Sequence, residues 1–250
     1  MTAQKNRIRP IAAIKAVRAL LKNPEDTRQV FLVTEALNGN AGVRAFERFR
    51  DSAVGRAVLS ERRILLDRLR DQDRLAQLPI GTLGRDYYEF MSCEGLTADG
   101  LVEASKTESF KPGSDEFRLF AERGRDWHDL QHALTGYGRN GLGEVCVLTF
   151  LCAQSWNPGL LLIVIAGMFK TAKEIPGQPV KRAIWEAWRH GRKAAWLPAL
   201  DWEAMLSRQL DEIRPELGVR TPVVYQRIVA AVAQRRPANG AGSMPALAAE

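Results

Sequence analysis

No stretch of this chain restricts its folding more than Val145 to Lys170, V-C-V-L-T-F-L-C-A-Q-S-W-N-P-G-L-L-L-I-V-I-A-G-M-F-K. A membrane span needs roughly 20 uninterrupted apolar residues. The polar, turn-forming Gln154-Ser155-Trp156-Asn157-Pro158-Gly159 divides this run in the middle. Two helices joined by a turn therefore fit better than one spanning helix. Both are apolar on nearly all faces, so they lie in a core or line an apolar cavity.

The rest of the chain carries helical periodicity and almost no strand signal. Ala41 to Leu69 places apolar residues at three- and four-residue steps among Arg, Glu and Asp. Asn23-Pro24-Glu25-Asp26 reads as a stop followed by a new helix start. Gly95-Leu96-Thr97 leads into A-D-G-L-V-E-A-S. Pro112 to Glu116 ends one segment and caps the next. Gly218 to Pro222 separates the last two helices. The expected fold is all-α: one multi-helical domain over residues 1–234. A disordered tail of small residues and prolines follows over 235–250. With 250 residues and 46% hydrophobic content, a sizeable core is available.

The net charge of +7 admits nucleic acid, an anionic membrane or acidic ligands as partners. Basic and acidic residues are mostly mixed, and no nucleic-acid motif accompanies them, so nucleic acid is not expected. The N-terminus is basic and free of acids up to Glu25, which suits a transit peptide. Its apolar set Ile11, Ile14, Val17, Leu20 and Leu21 suits a folded first helix equally well. Cys93, Cys146 and Cys152 form no C-x-x-C pair and read as reduced core thiols.

Two of the three histidines fall in W-H-D-L-Q-H-A-L-T-G-Y-G-R-N-G-L-G-E, Trp127 to Glu144. In a helix, His128 and His132 share a face. Asp129 lies about 100° round from His128 and offers a third ligand or an acceptor that fixes an imidazole tautomer. On one continuous helix Glu144 would sit about 18 Å from His132, too far for a shared ion. Gly136, Gly138, Gly141 and Gly143 permit a reversal, and a second helix starting near Gly141 or Leu142 would bring Glu144 back. Spacing alone leaves two readings open. One is a divalent metal site of two histidines and one or two carboxylates. The other is an ordinary helix and turn in which Glu144 is a capping choice.

At these residues the chain resembles the ubiquinone (coenzyme Q) biosynthesis protein 4 family. The resemblance rests on three ordered blocks. They are His128-Asp129-x-x-His132 with Glu144, the upstream L-P-I-G-T-L-G-R-D-Y-Y-E-F-M from Leu78 to Met91, and the closing G-R-K-A-A-W-L-P-A-L-D-W-E and E-I-R-P-E-L-G-V. It runs from about Arg18 to about Val229. It implies an all-helical fold and a divalent metal, usually zinc, held by His128, Asp129, His132 and Glu144. It also implies peripheral membrane contact and a hydrophobic pocket for a polyprenylated aromatic lipid. The implied chemistry is oxidative decarboxylation at ring carbon 1 of a hydroxybenzoate precursor, with those four residues catalytic. A non-catalytic lipid-binding scaffold that organises other ubiquinone-biosynthesis enzymes is the alternative, and a homodimer is compatible with either. The implied location is the cytoplasmic face of a bacterial inner membrane, or the matrix side of the mitochondrial inner membrane.

Other residues attract structural readings. G-T-L-G-R at Gly81 to Arg85 lacks the G-K-[ST] ending of a phosphate loop and reads as a turn into a helix over Asp86 to Met91, with Arg85 paired to an acid. His190, before Gly191, reads as a helix C-terminal residue rather than a ligand. Trp185, Trp188, Trp196 and Trp202 read first as core, then as a membrane-facing belt. Tyr137 and Arg139 lie in the turn between the histidines and Glu144, where each either touches substrate or stabilises the turn.

Overall fold

The structure, a computed structural model, describes residues 8–23, 28–37, 39–98 and 114–235. All regular structure among them is helical, and a lone antiparallel bridge joins Thr82 to Gln209. In chain order the helices are α1 (Pro10–Lys22), α2 (Arg28–Leu37), α3 (Ala41–Asp51), α4 (Ala53–Glu61), α5 (Leu65–Arg70), α6 (Gln72–Ala76) and α7 (Leu83–Cys93). Then come α8 (Asp115–Asp126), α9 (His128–Thr135), α10 (Gly141–Gln154), α11 (Pro158–Glu174), α12 (Val180–Lys193), α13 (Trp202–Met205), α14 (Leu210–Glu216) and α15 (Val223–Arg235).

The apolar run does form two helices; α10 is largely buried, whereas α11 is buried on one side only and leaves Ile165 and Phe169 exposed. In α10 nine residues from Leu142 to Ala153 are buried. Asn157 caps α11, its side-chain oxygen accepting from the Gly159 and Leu160 amides. The α10 helix packs most extensively on α12. Gly191 makes that possible, because a Cβ there would lie 2.3 Å from the Phe150 carbonyl oxygen. This glycine is not a helix stop: α12 continues to Lys193, with His190 buried in its last turn.

Three apolar clusters hold the helices. The largest joins α5, α7, α9, α13 and α14 through Leu65, Tyr87, Leu130, Trp202 and Ile213. Trp127 stacks on Trp202 at 5.7 Å between ring centroids. A second joins α10, α12 and α15 through Cys146, Ala183, Ala187 and Tyr225. A third joins α1, α2 and α11 through Val17, Val33 and Ile163. Fully burying one such large side chain contributes roughly 1.5–3 kcal/mol. Buried Arg123 crosses the first cluster, and its guanidinium forks onto both carboxylate oxygens of Glu203 at 2.5 Å.

The periodic segment 41–69 is helical as expected, in three short helices broken where Ser52 caps α4 and where Arg62 turns left-handed at φ 52°. Other expectations need correction. The helix expected over Asp86 to Met91 starts at Leu83 and runs to Cys93, with Thr82 as its cap. Cys93 is exposed, so only Cys146 and Cys152 are core thiols. In α1 the buried face is Ala13, Ala16 and Val17, while Ile11 and Ile14 face outward. Trp202 is core but Trp185 is exposed. Helix α15 includes Arg235, and the rest of the expected tail, like most of the segment after Thr97, lies outside the described residues. Arg85 pairs with Glu89 at 2.7 Å, as a structural role requires.

Candidate functional site

Helix α9 ends where Gly136 takes φ 75° and its amide returns to the His132 carbonyl. The chain then reverses over Tyr137 to Asn140, and α10 begins at Gly141. The Asn140 side-chain oxygen accepts from the Gly143 amide at 3.0 Å, capping α10. A Cβ at Gly143 would lie 1.8 Å from the Gly138 carbonyl oxygen. The two arms of the reversal therefore touch only because Gly143 has no side chain. The next residue, Glu144, sits in the first turn of α10, where the helix dipole favours a carboxylate.

This path carries Glu144 to the histidine face. Its carboxylate lies 3.4 Å from His132 Nε2 and 3.6 Å from His128 Nε2. The two Nε2 atoms are 3.4 Å apart. His128, Asp129 and His132 each offer a ligand atom, all within 4.8 Å of one another. Among the described residues this is the one such group of His, Cys, Asp or Glu. His190 is not part of it.

The His132 ring is fixed from two sides. Its Nδ1 lies 2.9 Å from the Tyr137 carbonyl oxygen. A carbonyl can only accept, so Nδ1 donates and the neutral ring keeps its lone pair on Nε2, toward Glu144 and His128. Phe90 stacks on the ring at 5.4 Å. Burial opposes charge on His132, but Glu144, Asp129 and the Tyr137 carbonyl outweigh it and raise its pKa. Burial likewise opposes charge on Glu144, yet the two histidines hold its pKa well below the usual carboxylate range. The cluster is thus arranged around compensated charge rather than packed as apolar core.

A cavity of about 460 Å³ opens onto this cluster. His128, Asp129 and Glu144 line it, while His132 stands behind them with its side chain fully buried. Arg125, Arg139 and Lys170 also line the cavity and bring positive charge to it. Arg125 is paired with Asp126 and Lys170 with Glu174, and Arg139 lies 4.0 Å from Glu94. The other walls are apolar and include Val30, Leu148, Leu160 and Ile163. The donor set suits a divalent ion: imidazole nitrogen with its tautomer set by a second partner, and carboxylate oxygens already out of bulk water. His128, Asp129 and His132 could hold it, while the fourth expected ligand, Glu144, lies against both imidazoles but outside that group of three.

Of the turn residues, Arg139 lines the cavity, whereas Tyr137 serves through its backbone carbonyl and its side chain is buried. Sequence reasoning missed Phe90, Asn140 and Tyr225. Asn140 had a readable signal, an Asn directly before G-L-G-E. Tyr225, whose phenol oxygen accepts from the Gly138 amide, is remote in sequence and had none.

Fold and site define a class: an all-helical protein with a histidine–carboxylate cluster at the polar wall of an apolar cavity. Residues 4–223 match the family described as coenzyme Q (ubiquinone) biosynthesis protein Coq4. The chain belongs to that family, and its role lies in ubiquinone biosynthesis. It is 32% identical over 218 residues to the ubiquinone biosynthesis protein COQ4 homolog, mitochondrial, of Danio rerio, covering 86% of this chain and 77% of that one. The Homo sapiens protein of the same name is 27% identical, with 72% and 66% covered. The COQ4 protein of Eremothecium gossypii is 30% identical, with 74% of this chain and 55% of that one covered. The fold is similar to the crystal structure of a protein of Nostoc punctiforme PCC 73102 described as a candidate ubiquinone biosynthesis protein. The TM-score is 0.63 at 24% identity, over 85% of this chain and 99% of that one.

Proposed function

We propose that this chain replaces the carboxylate at ring carbon 1 of a polyprenylated hydroxybenzoate by hydroxyl, as a divalent-metal enzyme at a membrane surface. The observation that supports it most is the opening of an apolar cavity onto His128, Asp129 and Glu144. In this reading residues 1–234 act as one metal- and lipid-binding domain. The prenyl tail lies along Val30, Leu148, Leu160 and Ile163, which exclude water. Arg139 and Lys170 favour the anionic head group by their charge. His128, Asp129, His132 and Glu144 hold the metal, with zinc among the ions that a mixed imidazole–carboxylate set suits. A metal bound there supplies Lewis-acid polarisation of the substrate carboxylate and the adjacent ring oxygen.

Zinc carries no redox chemistry, so zinc would act there only as a Lewis acid, with the ring supplying electrons to dioxygen. The ring–carboxylate bond breaks and carbon dioxide leaves. One oxygen atom bonds to the ring carbon and the other becomes water. Two electrons from a donor and three protons complete the balance from the carboxylate to the phenol, carbon dioxide and water.

Helix α1 supplies the membrane contact. Ile11, Ile14 and Leu21 face outward with Lys15, Arg18 and Lys22, and a basic, apolar face of this kind lies in an anionic interface. No helix among the described residues is long and apolar enough to cross a membrane. The site of action is then the cytoplasmic face of a bacterial inner membrane or, in a mitochondrion, the matrix side of the inner membrane; two relatives are named mitochondrial. Contact with other ubiquinone-biosynthesis enzymes belongs to the same reading.

The substitution His132→Ala tests it. Ring decarboxylation by purified protein should be lost, while folding and assembly with partner enzymes persist. An unaltered rate with lost assembly would instead favour the non-catalytic scaffold.

A further inference from the structure

Helix α15 reaches the turn behind the metal-type cluster through Tyr225. The Tyr225 phenol oxygen accepts from the Gly138 amide at 2.9 Å and from the Asn140 side-chain amide at 2.6 Å. Asn140 passes the contact on, since its other side-chain atom caps the Gly143 amide and its carbonyl accepts from the Glu144 amide. The phenol is also wedged between the arms of the reversal. A Cβ at Gly138 would lie 2.9 Å from that oxygen, and one at Gly143 3.1 Å. The same turn presents the Tyr137 carbonyl to His132 Nδ1. Tyr225 itself is held at both ends. Its ring meets Tyr137 edge-on at 5.2 Å, and Glu186 of α12 accepts from the Val224 and Tyr225 amides.

We infer that Tyr225 is a positioning residue for the metal centre: its hydroxyl locks the Gly138–Asn140 reversal and so sets the approach of Glu144 to His128 and His132. This rests on the reading that those residues hold a divalent metal. Without the hydroxyl the Gly138 amide loses its acceptor and Asn140 loses the partner that orients its capping oxygen. The reversal then samples alternatives, and Glu144 with it. Direct hydrogen-bond partners of a ligating side chain typically change metal affinity by roughly 10–100-fold, and Tyr225 acts one step further out, through the turn, so a smaller change is expected.

The test is zinc affinity, measured by competition with a chromophoric chelator on the full chain. The variants are Tyr225→Phe, Asn140→Ser and Ile228→Val. Tyr225→Phe keeps the ring and removes one oxygen. Asn140→Ser keeps a capping oxygen and removes the donor to Tyr225. Ile228→Val loosens buried α15 packing without touching the hydroxyl. The expected result is a weaker zinc complex for Tyr225→Phe, by roughly up to tenfold, the low end of the effect of a ligand's direct partner. Asn140→Ser should weaken in the same direction, non-additively with it, and Ile228→Val should keep wild-type affinity despite a lower Tm. Wild-type affinity in both hydroxyl-linked variants overturns the role of Tyr225 alone. So does an equal loss in Ile228→Val, which would make the effect general loosening. A folded wild-type protein that binds no divalent metal overturns the metal reading and this inference together.

Discussion

The reversal between α9 and α10 turns on the absence of single atoms. Gly143 has its missing Cβ 1.8 Å from the Gly138 carbonyl oxygen, a backbone atom that cannot step aside. Gly143→Ala should force the two arms apart, cost about 2 kcal/mol or more by overpacking, and weaken divalent-metal binding. Gly124 is the contrast. It lies within α8, and a Cβ there meets nothing within 4 Å. Gly124→Ala should raise stability by roughly 0.5–1 kcal/mol through helix propensity. Denaturant unfolding of the two variants with and without zinc checks both signs. Glycine density in T-G-Y-G-R-N-G-L-G-E was plain in the sequence. Which glycine is indispensable was not, because the clash at Gly143 involves a carbonyl five residues earlier.

At the level of elements, α12 combines a close approach with a buried histidine. His190 is buried, and its Nδ1 has no hydrogen-bond partner. Burial lowers its pKa, Glu186 pulls the other way, and Arg220, Arg189 and Lys193 reinforce the lowering. The unfolded chain therefore takes up this proton at a higher pH than the folded one. Stability from the neutral ring is present above the free-histidine pKa of about 6.5 and declines as pH falls toward the folded value. His190→Asn should flatten that part of the slope, read as a smaller loss of Tm between pH 7 and pH 5. The helices themselves were legible wherever caps and breaks are local, as at Ser114, Asn157 and the Gly218–Pro222 break. The outward face of α1 was not, because α2 and α11 cover one side of a helix whose apolar residues lie on both.

Across the whole molecule, the four residues of the cluster come from one short sequence stretch, but the cavity and its supports do not. Val30, Leu160 and Lys170 reach the same space from α2 and α11, and Tyr225 arrives 87 residues after Gly138. Such long-range convergence leaves no periodicity or spacing to read. It does make the tail and head of the proposed substrate separable. Ala166 lines the cavity on α11. Ala166→Trp should leave zinc affinity unchanged and raise KM for a long-tailed substrate at least tenfold, about 1.4 kcal/mol, more than for a short-tailed one. Equal effects on both tail lengths would place the tail elsewhere.

The central claim is that a metal held beside this cavity acts on a prenylated aromatic acid. It is tested most directly by carbon dioxide release from a carboxyl-labelled polyprenylated hydroxybenzoate, with purified full-length protein, dioxygen and a two-electron donor. The account predicts release that requires a divalent metal, stops on chelation, returns on adding the metal back, and is lost in His132→Ala. Metal-loaded, folded protein that converts no substrate would contradict it, and so would metal-free protein that converts at the same rate.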